Sequence, residues 1–145
     1  RGVSLQRGGS VEVRNASAND VGGGISCRSL TVENSQVLVQ GARAEDGGAA
    51  VATKGAIVLS GNSTMTIEDS GQTLQTIMCE GVLLTTDLRL EGGLVLVRDC
   101  VCNHSSIVTV LNTATLTGGQ LTVHNCTAGG DTGVVYAAFV VVSAV

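Results

Sequence analysis

Pairs of apolar residues separated by one residue recur along the chain at intervals of 26 to 30 residues. The five copies are Val11/Val13, Val37/Val39, Met65/Ile67, Val95/Val97 and Leu121/Val123. Alternation with a period of two is typical of a β-strand, because successive side chains of a strand point to opposite faces. The repeat therefore predicts one strand per unit, with its apolar pair facing the same way in every unit.

Two further strand-like segments accompany each pair. One precedes the pair by seven or eight residues, and its copies are Leu30/Val32, Ile57/Leu59, Leu88/Leu90 and Ala114/Leu116, with Val3/Leu5 and Val140/Val142 near the ends. The other lies in between, within 22–27, 47–53, 75–79, 105–110 and 133–137. Hairpin turns, which a β-sandwich needs, are not indicated. We predict a right-handed parallel β-helix, an all-β solenoid of about five coils of 26–30 residues with three short strands per coil.

A column of turn residues follows the strand pairs at a fixed distance. Two positions after each pair stand Asn15, Gly41, Asp69, Asp99 and Asn125. These residue types tolerate a left-handed backbone better than others. The next position always holds a small residue, namely Ala16, Ala42, Ser70, Cys100 or Cys126. We expect a sharp corner here, and the glycines at 22–24 predict another place where the chain passes close to its neighbours.

Composition limits the core and the partners. The chain has 20 Gly, one Phe, one Tyr and neither Trp nor Pro, so small and aliphatic side chains must fill a narrow core. Its formal net charge is −4, and the eight basic residues are scattered, which argues against a nucleic-acid partner. The apolar end, 134–145, is too short for a membrane span and predicts a pair of buried strands.

Stacked chemical groups at the corner have two interpretations each. Cys100 and Cys126 occupy one column in adjacent coils, so they are either a disulfide or part of a stack of small buried residues, and Cys102 could compete. Cys27 and Cys79 are expected to lie too far apart to form a disulfide.

The stacked aspartates also have two interpretations. Asp69 and Asp99 could hold Ca²⁺ or act as a carboxylate pair, but the backbone conformation of the turn is sufficient to explain their residue type. We therefore predict no catalytic residue, no metal site and no cofactor.

Four sequons for N-glycosylation fall at predicted turns. They begin at Asn15, Asn62, Asn103 and Asn125. Exposure at a turn favours modification in a secreted protein. Asn15 and Asn125 also belong to the turn column, so Asn62 and Asn103 are the stronger candidates. Five Cys favour an oxidising compartment as well, although an odd number leaves one unpaired.

Some outward positions of the predicted strands are apolar. Leu38, Leu96 and Val58 are expected to face away from the core. An apolar outer face predicts lateral packing against another chain or another part of the same protein. The chain also begins and ends on a third-strand element without a polar cap, so residues 1–145 are interpreted as a single segment of a longer solenoid.

Short motifs give the chain a resemblance to a known family. The GGA(I/L/V) motif of chlamydial polymorphic membrane proteins and related surface proteins resembles GGGI at 22–25 and GGAAV at 47–51 of this chain. Their FxxN motif resembles VRNAS at 13–17 and VHNCT at 123–127, which have Val in place of Phe. The resemblance implies an extracellular or lumenal β-helix used for adhesion or scaffolding. It carries no catalytic residue to this chain.

The sequence thus favours a non-enzymatic structural or adhesive segment of a larger extracellular or lumenal assembly. Its expected partners are proteins or further copies of itself, which would contact the ends of the solenoid and its apolar outer face, together with N-glycans. Two alternatives remain open. The chain could be the non-catalytic part of a carbohydrate-active β-helix enzyme, or an accessory subunit packed on a membrane complex.

Overall fold

The computed structural model describes residues 1–19, 22–44, 48–71, 81–129 and 133–143. Within these ranges the chain contains eighteen β-strands and no helix, and every strand pair is parallel. The strands stack coil upon coil into a β-solenoid of about five turns. The predicted fold class, an all-β parallel solenoid with three strands per coil, is confirmed.

Three faces of the solenoid are sheets that run along its axis. Face 1 contains β2 (Ser10–Arg14), β6 (Gln36–Gln40), β10 (Thr64–Glu68), β13 (Leu94–Arg98) and β16 (Gln120–His124). Face 2 contains β4 (Ile25–Cys27), β8 (Gly48–Thr53), β11 (Gly81–Thr85) and the first parts of β15 (Val108–Thr117) and β18 (Val135–Ser143). Face 3 contains β1 (Val3–Leu5), β5 (Leu30–Glu33), β9 (Ala56–Ser60), β12 (Asp87–Glu91) and the second parts of β15 and β18.

Two short strand pairs lie at the corner between faces 1 and 2. They are formed by β3 (Ser17–Ala18) with β7 (Arg43–Ala44), and by β14 (Val101–Cys102) with β17 (Thr127–Ala128). Gly71 bridges the two pairs, because it pairs with both Arg43 and Val101. The corner is therefore hydrogen-bonded through all five coils.

The apolar residues that repeat along the sequence lie one above another in columns of the structure. On face 1, Val11 is in register with Val37, Val37 with Met65, Met65 with Val95, and Val95 with Leu121. On face 3, the six predicted copies from Val3 to Val140 also lie one above another. Both columns point inward. Met65, Val95, Ile57 and Leu88 are fully buried.

Burial falls off toward the two ends of the described solenoid. Val39 and Val97 in the middle coils are fully buried, whereas Val13 in the first coil and Val123 in the last are only partly buried and pack against the core from one side. An inward side chain is covered by the coils before and after it, so an end coil lacks half of its cover. The core is therefore densest in coils two to four.

Gly24 shows why glycines precede the second strand. A Cβ atom built on Gly24 would lie 2.6 Å from Cγ1 of Val39 and 2.7 Å from the carbonyl oxygen of Ala50, closer than real Cβ contacts. The backbone itself thus lies against the next coil. The expected close passage of residues 22–24 is confirmed at this position.

Two expectations need correction. Residues 75–79, which were predicted to form the second strand of the third coil, lie outside the described residues, and the strand at that place on face 2 is β11, Gly81–Thr85. Residues 134–143 were predicted to be buried. They do contain a strand, but Val140 and Val142 are 62% and 73% exposed because no further coil covers them in the described structure.

The buried columns predict a strong dependence of stability on Val97. Val97→Asp places a carboxylate where the side chain is fully buried in the central coils. We expect it to lower the free energy of unfolding by about 3–5 kcal/mol, since the charge has no partner there. Thermal and urea unfolding followed by circular dichroism measure the loss.

Leu96→Asp is the matched control, because Leu96 directly precedes Val97 and points out of face 1. Its effect should stay within about 1 kcal/mol. Val13→Asp, in the first coil, should lie between the two. Wild-type melting of the Val97→Asp variant would contradict the register.

Candidate functional site

The predicted turn column forms the corner that follows face 1. The backbone φ angles of Asn15, Gly41, Asp69, Asp99 and Asn125 are 52°, 66°, 47°, 54° and 49°. All five are therefore in the left-handed region, as the residue types indicate. The N–H group of each of the first four donates to a carbonyl of the next coil; for example, Asn15 donates to Gln40 at 2.9 Å and Asp99 to His124 at 3.1 Å. The corner thus continues the hydrogen-bond ladder of the sheet.

A second left-handed column follows face 3 at the same offset, and the sequence analysis did not identify it. Its members are Arg7, Asn34, Gly61, Gly92 and Gly118, with φ angles of 59°, 46°, 64°, 96° and 71°. Each lies two positions after the second inward residue of its strand. That offset is the signal that could have found the column, although Arg7 is not a typical residue for this conformation.

The two stacked aspartates have different partners. Asp69 forms an ion pair with the guanidinium of Arg43, with 3.7 Å between its Oδ1 atom and the Nη2 atom of the arginine. Asp99 accepts a hydrogen bond from the Nδ2 atom of Asn125 at 2.6 Å. The carboxylates are thus engaged separately, one with a cation and one with an amide. Within the described ranges, no group of three or more His, Cys, Asp or Glu side chains could hold a metal ion.

The small column lies directly inside the corner. Ala42, Ser70 and Cys100 are buried, whereas Ala16 and Cys126 in the end coils are partly exposed. The hydroxyl of Ser70 donates to the carbonyl of Glu68 at 2.9 Å and accepts from the N–H of Ala42 at 3.1 Å. Small polar groups therefore satisfy backbone atoms that the sharp corner leaves inside.

Three of the four described cysteines are free thiols. They are Cys27, Cys100 and Cys126, whereas the fully buried Cys102 is disulfide-bonded. Cys79 lies outside the described residues. The structure thus has no disulfide between Cys100 and Cys126. Stacked strands lie about 4.8 Å apart, farther than the Cβ separation that a disulfide requires.

Each thiol of the stacked pair contacts a backbone carbonyl of its own coil. The Sγ atom of Cys100 donates to the carbonyl of Arg98 at 3.1 Å, and that of Cys126 to the carbonyl of His124 at 3.3 Å. Burial raises the pKa of the Cys100 thiol from its ordinary 9.0 to about 12, with a smaller opposing effect of the hydrogen bond from the Ser70 backbone. Cys100 is therefore a neutral buried thiol near neutral pH.

All four sequon asparagines are exposed, but their side chains differ in their contacts. Asn125 uses its Nδ2 atom to bond Asp99. Asn15 lies in the left-handed corner with its Oδ1 atom close to Gly41. Asn62 lies in the turn between β9 and β10, where its backbone N–H donates to Oδ1 of Asn34 at 3.0 Å. Asn103 follows β14 in a turn.

The predicted outward positions of faces 1 and 3 do point away from the core. Leu38, Val58 and Leu96 point outward but are only partly exposed, because their neighbours on the flat sheet cover them. The most exposed large apolar side chains are instead in the last coil. Phe139 is 66% exposed and Val142 is 73% exposed.

Comparison with known proteins identifies no relative. No family model, no curated protein and no solved structure matches the chain. The resemblance to polymorphic membrane protein repeats stays a prediction from the motifs.

The described residues include no helix that is long and apolar enough to cross a membrane.

The buried thiol predicts a loss of stability at high pH. Folding raises the pKa of Cys100, so its stabilising contribution is complete below pH 9.0 and is lost as the pH rises toward about 12. The loss is about 1.4 kcal/mol per pH unit at most. Urea unfolding of the wild type and of Cys100→Ala, below and above pH 9, measures the difference between the two proteins.

We expect Cys100→Ala to lose less stability than the wild type over this range. Alanine fits the column, since Ala42 already occupies it. Cys126→Ala changes the same column in the half-exposed end coil. Because the Cys126 thiol makes a smaller contribution to the raised pKa of Cys100, this variant should lose nearly as much stability as the wild type and more than Cys100→Ala. Identical pH profiles for Cys100→Ala and the wild type would contradict the assignment.

Proposed function

We propose that this chain is a structural, non-enzymatic segment of an extracellular or lumenal assembly, and that it binds protein through the edge of its last coil. The last coil comprises β16, β17 and β18. The single observation that carries the proposal is the concentration of exposed apolar side chains on β18 and the residue before it.

Seven of the ten large apolar side chains that are exposed in the described structure belong to this segment. They are Val134, Val135, Tyr136, Phe139, Val140, Val141 and Val142. A contiguous apolar patch of this kind is typical of surfaces that contact protein. The outer surfaces of the three faces in the middle coils are more polar or better covered.

The backbone of β18 adds a second reason. In the described structure β18 pairs only with β15, so its other edge offers unpaired N–H and C=O groups. An exposed edge of this length is a template for the addition of a strand. Val140 and Val142 stand in register after Ala114 and Leu116, so an added strand would cover them as each coil covers the previous one.

The proposed compartment rests on covalent chemistry. Cys102 is disulfide-bonded inside the solenoid. Disulfides form and persist mainly in oxidising environments such as the cell exterior and the secretory lumen. The four exposed sequons agree with that environment.

A second copy of the chain is the partner that tests the proposal directly, because its β18 offers the same apolar edge. We expect the wild type to self-associate in the micromolar range, measured by sedimentation velocity as a function of concentration. Val140→Lys places a charge on the exposed end of the core and should weaken self-association about tenfold or more. Its melting temperature should change little, since Val140 is 62% exposed.

Thr66→Lys is the control for added charge. Thr66 points out of the middle of face 1, away from the edge, so this variant should self-associate like the wild type. A wild type that stays monomeric, or a Val140→Lys variant that associates equally well, would overturn the proposal.

The glycosylation proposal distinguishes the sequons by their contacts. Expressed through a eukaryotic secretory pathway, the chain should carry a glycan on Asn62, whose turn is exposed. Asn125 should stay unmodified because its Nδ2 atom, the site of attachment, bonds Asp99. Intact mass with and without a glycosidase checks this.

Asn62→Gln should then remove the mass of one glycan, and Asn125→Gln should remove none. The reverse result, or a chain that carries no glycan at all, would contradict the proposal.

A further inference from the structure

A groove of about 850 Å³ runs along the outside of face 2, next to the corner with face 3. We call it the corner groove. The residues on which its chemistry depends are Arg1, Arg28, Lys54, Thr86, Leu84 and Leu111. They come from successive coils, so the groove extends parallel to the solenoid axis.

The backbone ladder holds these residues in order. The N–H of Arg28 donates to the carbonyl of Arg1 at 3.2 Å, and the N–H of Lys54 donates to the carbonyl of Cys27 at 3.3 Å. The hydroxyl of Thr86 then donates to the carbonyl of Lys54 at 2.9 Å. Neighbouring strands lie about 4.8 Å apart, so Arg28 and Lys54 extend from adjacent levels of one corner.

The cations of the groove have no acidic partner in the described part of the chain. The three ion pairs found there use Arg14, Arg43 and Arg98. Arg1, Arg28 and Lys54 are in none of them, and no Asp or Glu lines the groove. Three of the eight basic residues of a chain with net charge −4 are thus gathered, unpaired, in one concave surface. Such a surface attracts anions.

The other end of the groove is apolar. Leu84 is partly buried on face 2, and Leu111 is 57% exposed. Leu111 follows Val110, which is in register with Thr85, so Leu111 lies beside Thr86 of the neighbouring coil and points outward. The apolar end is about three strand spacings, or roughly 14 Å, from Arg28.

We propose that the corner groove binds an amphipathic oxyanion. Its phosphate, sulfate or carboxylate group contacts Arg28 and Lys54, with Arg1 close by, and its alkyl chain lies along the groove over Leu84 and Leu111. The volume is within the range of small-molecule sites, which are mostly apolar with a few polar groups that orient the ligand. Guanidinium and ammonium groups are the side chains that bind such oxyanions most strongly. This inference goes beyond the proposed function and does not depend on it.

The experiment compares three probes by isothermal titration calorimetry. Dodecyl phosphate carries both the oxyanion and the alkyl chain, inorganic phosphate carries only the first, and dodecyl maltoside carries only the second. All are used below the concentration at which they form micelles. We expect dodecyl phosphate to bind one to one, and each of the other probes to bind at least about tenfold more weakly.

Three variants locate the site. Arg28→Ala combined with Lys54→Ala should weaken dodecyl phosphate binding about tenfold or more, and Leu111→Ser should weaken it without changing the affinity for inorganic phosphate. Arg89→Ala is the matched control, since Arg89 is exposed on β12 of face 3, away from the groove, and should bind like the wild type. All of these residues point outward, so melting temperatures should be unchanged.

The combined Arg28→Ala and Lys54→Ala variant is the decisive one. Wild-type affinity in that variant, equal binding of inorganic phosphate and dodecyl phosphate, or no binding of dodecyl phosphate would each overturn the proposal.

Discussion

The structure depends on the parallel, in-register stacking of one coil on the next. Each inward residue, such as Met65, packs between its counterparts Val37 and Val95 in the neighbouring coils, at the spacing of hydrogen-bonded strands. A coil cannot bury its own apolar side, so its stability comes from its neighbours. The length of the repeat can vary by a few residues because the register is set by the strands, and the corners absorb the difference.

The same constraint explains the residues that most resembled a catalytic or metal-binding group in the sequence. Asp69 and Asp99 occupy positions that need a left-handed backbone, and their side chains bond Arg43 and Asn125 rather than each other. Cys100 lies in a column that accepts only small side chains, and its thiol is neutral and buried. Their residue types follow from the geometry of the corner, so they give no evidence for catalysis.

Stacking also determines which surfaces of the molecule are exposed and can bind a partner. The middle coils cover each other and leave their outward residues on nearly flat sheets, whereas in the described part of the chain the apolar edge of β18 is exposed. The corner groove arises for a different reason. Arg28 and Lys54 stand one above the other because they lie 26 residues apart in the chain, and the coil brings them together without any local motif.

The sequence by itself determined the columns. Three repeated features specified the strands of face 1, their register and their corner. They are the apolar pair with a period of two, the Asn, Asp or Gly two positions later, and the small residue after that. Each is a local requirement of the backbone that recurs in every coil. The sequence did not indicate the second left-handed column, because its first member, Arg7, is not a typical residue for that conformation. The second strand of the third coil was predicted at 75–79 and not at β11, because this coil is longer between its first and second strands. Only the tertiary structure decided which positions are covered: Val140 and Leu88 lie in the same inward column of face 3, yet Val140 is 62% exposed and Leu88 is fully buried. Burial, the pairing of charges and the corner groove all depend on what lies in the next coil, and that is a property of the stack and not of any one segment.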